Sequence, residues 1–464
     1  MMFVGRKREL DGLNKQYESG KFEMTIIYGR RRVGKTTLIK EFIKEKNAVY
    51  FLSTNASGDM NLKIFAEQLI RHFDPGLENA SFPDFDAAFQ YLSRKSEDER
   101  MVLVIDEYPY LAESIEGMSS ILQRAIDEYF AKGKLFIILC GSSMSFMENQ
   151  VLNQKSPLYG RRTSQIRLQP FTFQETLYML DGMDPEEVAV YYGVTGGVAE
   201  YLSFIRKDWS LKENLVNLFF DTRGRLYEEP KNLLNQELRE PKVYNDILFA
   251  IANGASRNNE ISTVVGKQSS AVNPYLNNLQ ELHIITKESS ITKFGSVKSI
   301  YRINDAMYRF WFRFVRKGMA NIEMGQGREY YDIKVAPFIS EYMGPVFELI
   351  VQEYMLLKNR GNKPQDYITE QGRFWGTDPN RKKEVEIDYL GITESAYLIG
   401  EAKWTSEPIG YSEFEKLKEK AELIPGQHYY FLFSKSGYTK SFVRSKSNVK
   451  LVSFADMAID FLKI

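Results

Sequence analysis

Residues Gly29-Arg30-Arg31-Arg32-Val33-Gly34-Lys35-Thr36 fit GxxxxGK[ST], a spacing that can bind phosphate when a strand enters it and a helix leaves it. Met24 to Tyr28 is an apolar, strand-like run, and Thr37 to Lys46 has a helical pattern. Successive backbone N–H groups in such a turn form an anion-binding concavity, and the positive end of the following helix points into it. Gly29, Arg30, Arg31, Arg32, Val33, Gly34, Lys35, Thr36 and Thr37 are therefore the expected nucleotide-binding positions, with a nucleoside triphosphate as ligand. The backbone and Lys35 supply the phosphate contacts, so the side chains of Arg30 to Arg32 are read as outward-facing charges. A second apolar run, Met101 to Ile105, ends in Asp106-Glu107. A carboxylate at that strand end can hold Mg²⁺ together with the Thr36 hydroxyl, and Glu107 is placed to polarise the attacking water. Ser142, leaving the apolar run Leu135 to Cys140, can reach the γ-phosphate or that water, or simply close a Ser/Gly turn.

The last third of the chain carries a second constellation. Asp388 lies in the strand-like run Val385 to Leu390, and Glu401 and Lys403 lie in Tyr397 to Trp404, after a turn including Thr393, Glu394 and Ser395. Residues two apart on a strand share a face, so Glu401 and Lys403 point together. If the two runs pair as a hairpin, Asp388 joins them. Two carboxylates and a lysine suit Mg²⁺ and a phosphodiester; a surface charge cluster is the plainer reading of the same spacing. With one cysteine and three histidines in the chain there is no case for zinc.

The elements that must position these residues alternate. Ala48 to Leu52, Met101 to Ile105, Leu135 to Cys140 and Gln165 to Leu168 read as strands, with helices around Leu62 to Phe73 and Ser119 to Ala131 between them. That order implies an α/β fold with a parallel sheet and ligands at the strands' C-terminal ends. At 464 residues the chain should hold about three domains. Its 61 Lys plus Arg balance 61 Asp plus Glu, so any nucleic-acid surface must be local. The single Cys140 excludes an internal disulfide and reads as a core thiol in a reducing compartment. The apolar runs are far shorter than the ~20 residues of a membrane span, and no signal-peptide pattern opens the chain, so a cytoplasmic protein without membrane contact is expected.

Helical patterns from Val188 to Asn235 lead into a small unit between Lys242 and Arg302. Val243 to Ala252, Asn259 to Val265 and Pro274 to Leu282 precede strand patterns at Ile284 to Lys287 and Lys298 to Ile303, an order that resembles a winged helix-turn-helix. Asn273 and Pro274 read as cap and first position of the third helix, with Tyr275, Leu276, Leu279 and Leu282 as its apolar face. Lys242, Arg257, Lys267, Lys287, Lys293, Lys298 and Arg302 outnumber Asp246, Glu260, Glu281 and Glu288. The third helix offers Asn277, Asn278, Gln280 and Glu281 but no cation. DNA contact and a packing or lid role both stay open. The aromatic stretch Tyr308 to Phe314 reads as core or interdomain packing.

The first part of the chain resembles the AAA+ and STAND-like branch of P-loop ATPases, in particular an archaeal and bacterial family with a C-terminal nuclease-like domain. The resemblance is carried by Phe3-Val4-Gly5-Arg6-Lys7-Arg8-Glu9-Leu10, Cys140-Gly141-Ser142-Ser143, Leu158-Tyr159-Gly160-Arg161-Arg162-Thr163 and Gly196-Gly197-Val198, with Ala199 where that family often has proline. It implies ATP and Mg²⁺ as cofactors, a first segment near the adenine, Ser142 as a sensor and an arginine finger. Arg161 is favoured for that finger, then Arg162, with a homo-oligomer as the corresponding assembly. The end of the chain resembles the PD-(D/E)XK nuclease superfamily, through Phe374-Trp375-Gly376, Ile387-Asp388 and Gly400-Glu401-Ala402-Lys403-Trp404. That resemblance adds Glu348, on the helical segment Pro345 to Leu357, to Asp388 and Glu401 as metal ligands.

The expected domains are a P-loop ATPase at 1–187, a helical lid at 188–240, a winged helix-turn-helix at 241–316 and a restriction-endonuclease-like α/β domain at 335–464. The expected function is an ATP-hydrolysing switch coupled to a nuclease-like domain acting on nucleic acid. Its catalytic residues would be Lys35, Asp106, Glu107, Ser142, Arg161, Asp388, Glu401 and Lys403. The alternative is an ATP-regulated protein that recognises DNA or protein without cleavage.

Overall fold

The computed structural model describes residues 3–77, 80–97, 99–238, 240–291, 299–361, 363, 366–378, 383–445 and 448–463. The chain forms two compact units, residues 1–170 with 198–200, and residues 171–197 with 201–464.

The first unit is built on a parallel sheet of β1 (Glu23–Tyr28), β2 (Ala48–Leu52), β3 (Met101–Asp106), β4 (Leu135–Gly141) and β5 (Ser164–Arg167). Its order is β2-β3-β4-β1-β5. Strands this apolar form because both faces are covered. Ile26, Phe51, Leu103, Ile105 and Ile137 pack on one side with Phe65, Phe89 and Leu122. Ile27, Val102, Val104, Ile138 and Cys140 pack on the other with Leu38, Ile39 and Phe42 of the helix Lys35–Ile43. The buried Cys140 is thus a core thiol. Because β4 lies between β1 and β3, the end of β4 stands between the loop that follows β1 and the acidic pair that ends β3.

In the second unit a helical region (Pro185–Thr195, Leu211–Phe219, Glu229–Glu237) precedes the helices Pro241–Ala252, Asn258–Val265 and Ser269–Glu281 and the antiparallel pair β6 (Ile285–Glu288) and β7 (Ile300–Ile303). The element order in this segment is thus three helices followed by an antiparallel strand pair. The third helix begins at Ser269, and Pro274 lies inside it, so Asn273 and Pro274 are not its cap and first position. Burial of Val272 with Leu276 and Leu279 extends the apolar face one turn upstream and outweighs the amide hydrogen bond that proline removes. Pro345 likewise lies inside the longer helix Ile339–Asn359 instead of starting it. Tyr308, Phe310, Trp311, Phe312 and Phe314 are buried, with Trp311 Nε1 donating to the Tyr227 carbonyl at 2.6 Å.

The C-terminal sheet has the order β12-β11-β10-β9-β8. Strands β8 (Glu370–Thr377), β9 (Glu384–Ile392) and β10 (Tyr397–Lys403) are antiparallel neighbours. Strands β11 (His428–Ser434) and β12 (Val449–Ser453) add in parallel after the helix Tyr411–Ala421.

Candidate nucleotide site and a C-terminal charged centre

The loop between β1 and the helix Lys35–Ile43 is shaped by its glycines. A Cβ on Gly29 would stand 2.3 Å from the Leu168 carbonyl oxygen, and Gly34 has φ +95°. Arg32 takes φ +70°, a conformation that side chains rarely adopt, and its guanidinium pairs with Glu200. The buried Lys35 reaches back across the loop to the carbonyls of Gly29 (2.8 Å) and Arg30 (3.0 Å). Burial pulls its pKa below the ordinary lysine value, and nearby Cys140, Glu107 and Asp106 oppose that shift. Thr36 and Thr37 are exposed on the first turn of the helix, whose N-terminal amides face the same space. Arg30, Arg31 and Arg32 are half-buried, with Arg31 donating to the Tyr110 hydroxyl at 3.3 Å.

Asp106 stands where the sequence order requires. Its Oδ2 accepts from Thr36 Oγ1 at 2.9 Å, and its Oδ1 from the Glu107 amide at 3.0 Å. Glu107 has φ +52°, and this turn aims it away from Asp106 toward the end of β4. There Ser142 Oγ and the Ser142 amide donate to Glu107 Oε2 at 2.9 and 3.2 Å. Ser53 Oγ pins the turn from behind through the carbonyls of Asp106 and Glu107, both at 2.7 Å. Lys35, Thr36, Asp106, Glu107 and Ser142 are therefore brought to one edge of the sheet. A hydroxyl and a carboxylate in contact beside a buried lysine form a donor set that fits a hydrated Mg²⁺ and a triphosphate.

Arg161 has other partners. It forms two hydrogen bonds to Asp127 (3.1 and 2.7 Å) and one to the Pro157 carbonyl, while Arg162 donates to the Leu152 carbonyl. Three further contacts of this unit surround the loop, of which only Arg6 lies in a segment the motifs single out. Tyr50 donates to Asp106 Oδ2 at 2.5 Å. Arg6, buried and left-handed at φ +59°, ties the Val33 carbonyl (3.3 Å) to that of Gln169 (2.6 Å). Lys40 stands 5.6 Å from the Tyr50 ring centroid.

In the second unit the expected hairpin forms, with Tyr397 opposite Ile392 and Gly400 opposite Tyr389. Asp388 Oδ2 accepts from the Ala402 amide at 3.0 Å, which sets it beside Glu401. Lys403 Nζ lies 2.6 Å from Glu401 Oε1, and Lys420, which sequence reasoning missed, lies 2.9 and 2.8 Å from the two Glu401 oxygens. Glu348 faces the same centre, but Arg373 Nε is its ion-pair partner at 3.0 Å. Arg373 also pairs with Glu386 and, at 3.7 Å, with Glu288. Burial first, then the charge of Asp388, raises the Glu348 pKa to about 8. Burial, then Glu401, raises Asp388 to about 6. Lys403 and Lys420 thus pair with Glu401 and Arg373 with Glu348, and among the described residues no group of three or more His, Cys, Asp or Glu is arranged around an ion position.

The segment just after β6 contacts this domain's sheet. Ile291 donates from its amide to the Arg373 carbonyl at 3.1 Å, and the Trp375 amide donates to Ser290 Oγ at 3.2 Å. These bonds reach edge strand β8 beside the irregularity between Gly372 and Phe374. Arg302 pairs with Glu288, Arg257 lies 4.0 Å from both Glu260 and Glu384, and Asn278 donates to the Tyr244 hydroxyl. Lys242, Lys267 and Lys287 are exposed, and Lys293 and Lys298 lie outside the described residues.

Residues 3–205 match a family described as an ATPase domain predominantly from Archaea, and residues 311–420 one described as archaeal and bacterial proteins of unknown function. A Methanocaldococcus jannaschii protein described as uncharacterized is 32% identical over 406 residues, 87% of this chain and 88% of its own length. The chain belongs to this family of archaeal-type P-loop ATPases. A second relative from that organism, described as an uncharacterized ATP-binding protein, is 52% identical over 46 residues, 10% of this chain and 78% of its own. Among solved structures, a Walker-type ATPase of Pyrococcus abyssi is 20% identical with a TM-score of 0.49, covering 67% of this chain and 96% of its own. The Aeropyrum pernix ORC2 protein is 15% identical with a TM-score of 0.44, covering 69% and 95%. No described helix is long and apolar enough to cross a membrane.

Proposed function

We propose that the protein is an ATP-hydrolysing, Mg²⁺-dependent switch whose C-terminal domain acts on nucleic acid. One observation carries the ATPase part: Lys35, the Thr36–Asp106 pair and the Glu107–Ser142 pair meet at one edge of a parallel sheet. Lys35 would neutralise phosphate charge, Thr36 and Asp106 would hold Mg²⁺, and Glu107 would orient the attacking water. Bound there, Mg²⁺ would supply charge neutralisation at the β- and γ-phosphates. Arg161 would serve as a finger for a neighbouring copy once released from Asp127. The domain scheme of ATPase, helical lid, winged helix and nuclease-like module is part of this proposal. For the last module the support is the hairpin that joins Asp388 to Glu401 and Lys403.

A second reading, ATP-regulated recognition of DNA or protein without cleavage, is favoured by Lys420 on Glu401 and Arg373 on Glu348. One experiment tests both. ATP turnover is measured for the wild type and Lys35→Ala, and DNA and RNA are incubated with wild type, Asp388→Ala and Lys403→Ala in Mg²⁺ or Mn²⁺, with and without ATP. Full turnover in Lys35→Ala refutes the ATPase site. Cleavage lost in both other variants supports the nuclease, cleavage retained in both refutes that assignment, and ATP-dependent binding without cutting supports the second reading.

A further inference from the structure

Tyr50 lies in β2, in register with Val104, two residues before the Leu52 position that pairs with Asp106. Strand alternation sends Val49 and Phe51 to one core and Ala48 and Tyr50 to the other, where Val102, Val104 and the helix Lys35–Ile43 pack. The Tyr50 hydroxyl therefore comes up beside the carboxylate that ends β3 and donates to Asp106 Oδ2 at 2.5 Å. The same oxygen accepts from Thr36 Oγ1 at 2.9 Å, while Oδ1 is held by the Glu107 amide at 3.0 Å.

These donors differ in what carries them. Thr36 belongs to the phosphate loop, and its hydroxyl would leave Asp106 if its oxygen turned to a cation. Tyr50 is on a strand hydrogen-bonded along its length to β3, so its donor comes from the sheet and not from the phosphate loop. A phenylalanine ring would fill the same half-buried place, which separates the hydroxyl from the packing.

We propose that Tyr50 is a positioning residue for the nucleotide site, holding the Asp106 carboxylate in the orientation that receives the Mg²⁺ of Mg·ATP. This rests on Asp106 being the cation-binding carboxylate of that site. Losing this charge-assisted hydrogen bond should weaken Mg²⁺ binding about tenfold.

The test uses the full chain and Tyr50→Phe, with a fluorescent ATP analogue titrated in EDTA and then against free Mg²⁺. The expected result is unchanged analogue affinity in EDTA and a Mg²⁺ half-saturation raised about tenfold, with no further rise when Tyr50→Phe is added to Asp106→Asn. Equal Mg²⁺ dependence in wild type and Tyr50→Phe overturns the proposal, as does a full additional effect in the Asp106→Asn background. Wild-type analogue binding that ignores Mg²⁺ overturns the cation-site reading beneath it. Analogue binding in EDTA confirms that Tyr50→Phe is folded, and Tyr50→Leu, which lacks both ring and hydroxyl, must show at least the same Mg²⁺ defect.

Discussion

Ser142 Oγ donates to Glu107 Oε2 at 2.9 Å, joining the ends of two adjacent parallel strands. The contact holds the carboxylate of a residue whose own backbone is left-handed. Glu107 therefore has a defined direction, as its proposed role in orienting water requires.

Glu107→Gln should keep ATP affinity and lose roughly 10²–10⁴ in turnover, the usual contribution of a positioned acid or base. Ser142→Ala should lose less, roughly tenfold, because the Ser142 amide still donates to the same oxygen. Steady-state turnover beside fluorescent ATP binding checks both. Weakened binding with unchanged turnover in either variant would assign these residues to ligand capture instead.

Asp127 holds Arg161 at a partly exposed site, and such pairs contribute at most about 1 kcal/mol, so the arginine is cheaply released. Turnover per subunit should rise with protein concentration in the wild type and stay flat in Arg161→Ala. Asp127→Asn should shift the rise to lower concentration. Concentration-independent turnover in all three would remove Arg161 as a finger acting between copies.

Glu353 is enclosed by the Tyr192 hydroxyl at 2.5 Å and the Phe173 amide at 2.7 Å, and burial raises its pKa from 4.5 to about 7. Between those values the folded chain binds the extra proton, so stability falls as pH rises through that window and levels off above about 7. The loss attributable to this group is on the order of 3 kcal/mol. Denaturant unfolding of Glu353→Gln should show a flatter pH profile than the wild type between pH 5 and pH 7. Identical profiles would mean that the carboxyl stays ionised throughout.

Arg373 is the shared partner of Glu348, Glu386 and Glu288 and is largely buried. Arg373→Met should destabilise the second unit by roughly 3 kcal/mol at pH 8.5, because the largely buried Glu348 loses its cation. The loss should be smaller at pH 6, where Glu348, with its pKa of about 8, is already protonated and needs no cation. Melting temperature at the two pH values measures this, and an equal loss at both would show that Glu348 is not the group left exposed.

The phosphate loop, Asp106-Glu107 and the Asp388 to Lys403 hairpin were legible because each is set by neighbours in the chain. A strand, a turn and a helix start lie within a dozen residues of Lys35, and period-two alternation places Glu401 and Lys403 on one face. Helix starts were less legible. At Pro274 and Pro345 the local rule for proline lost to burial of Val272 and to the long apolar face of Ile339–Asn359.

By itself, then, the sequence determined a P-loop ATPase unit and the residue types at both charged centres. Only the tertiary structure decided their partners. The strand order put Ser142 on Glu107 and Tyr50 on Asp106, the helix after β10 brought Lys420 to Glu401, and the edge of β8 set Arg373 among three acids. The physical reason is distance along the chain. Each of these contacts joins residues about 13 to 85 positions apart, so it depends on which strands lie side by side and which faces they bury.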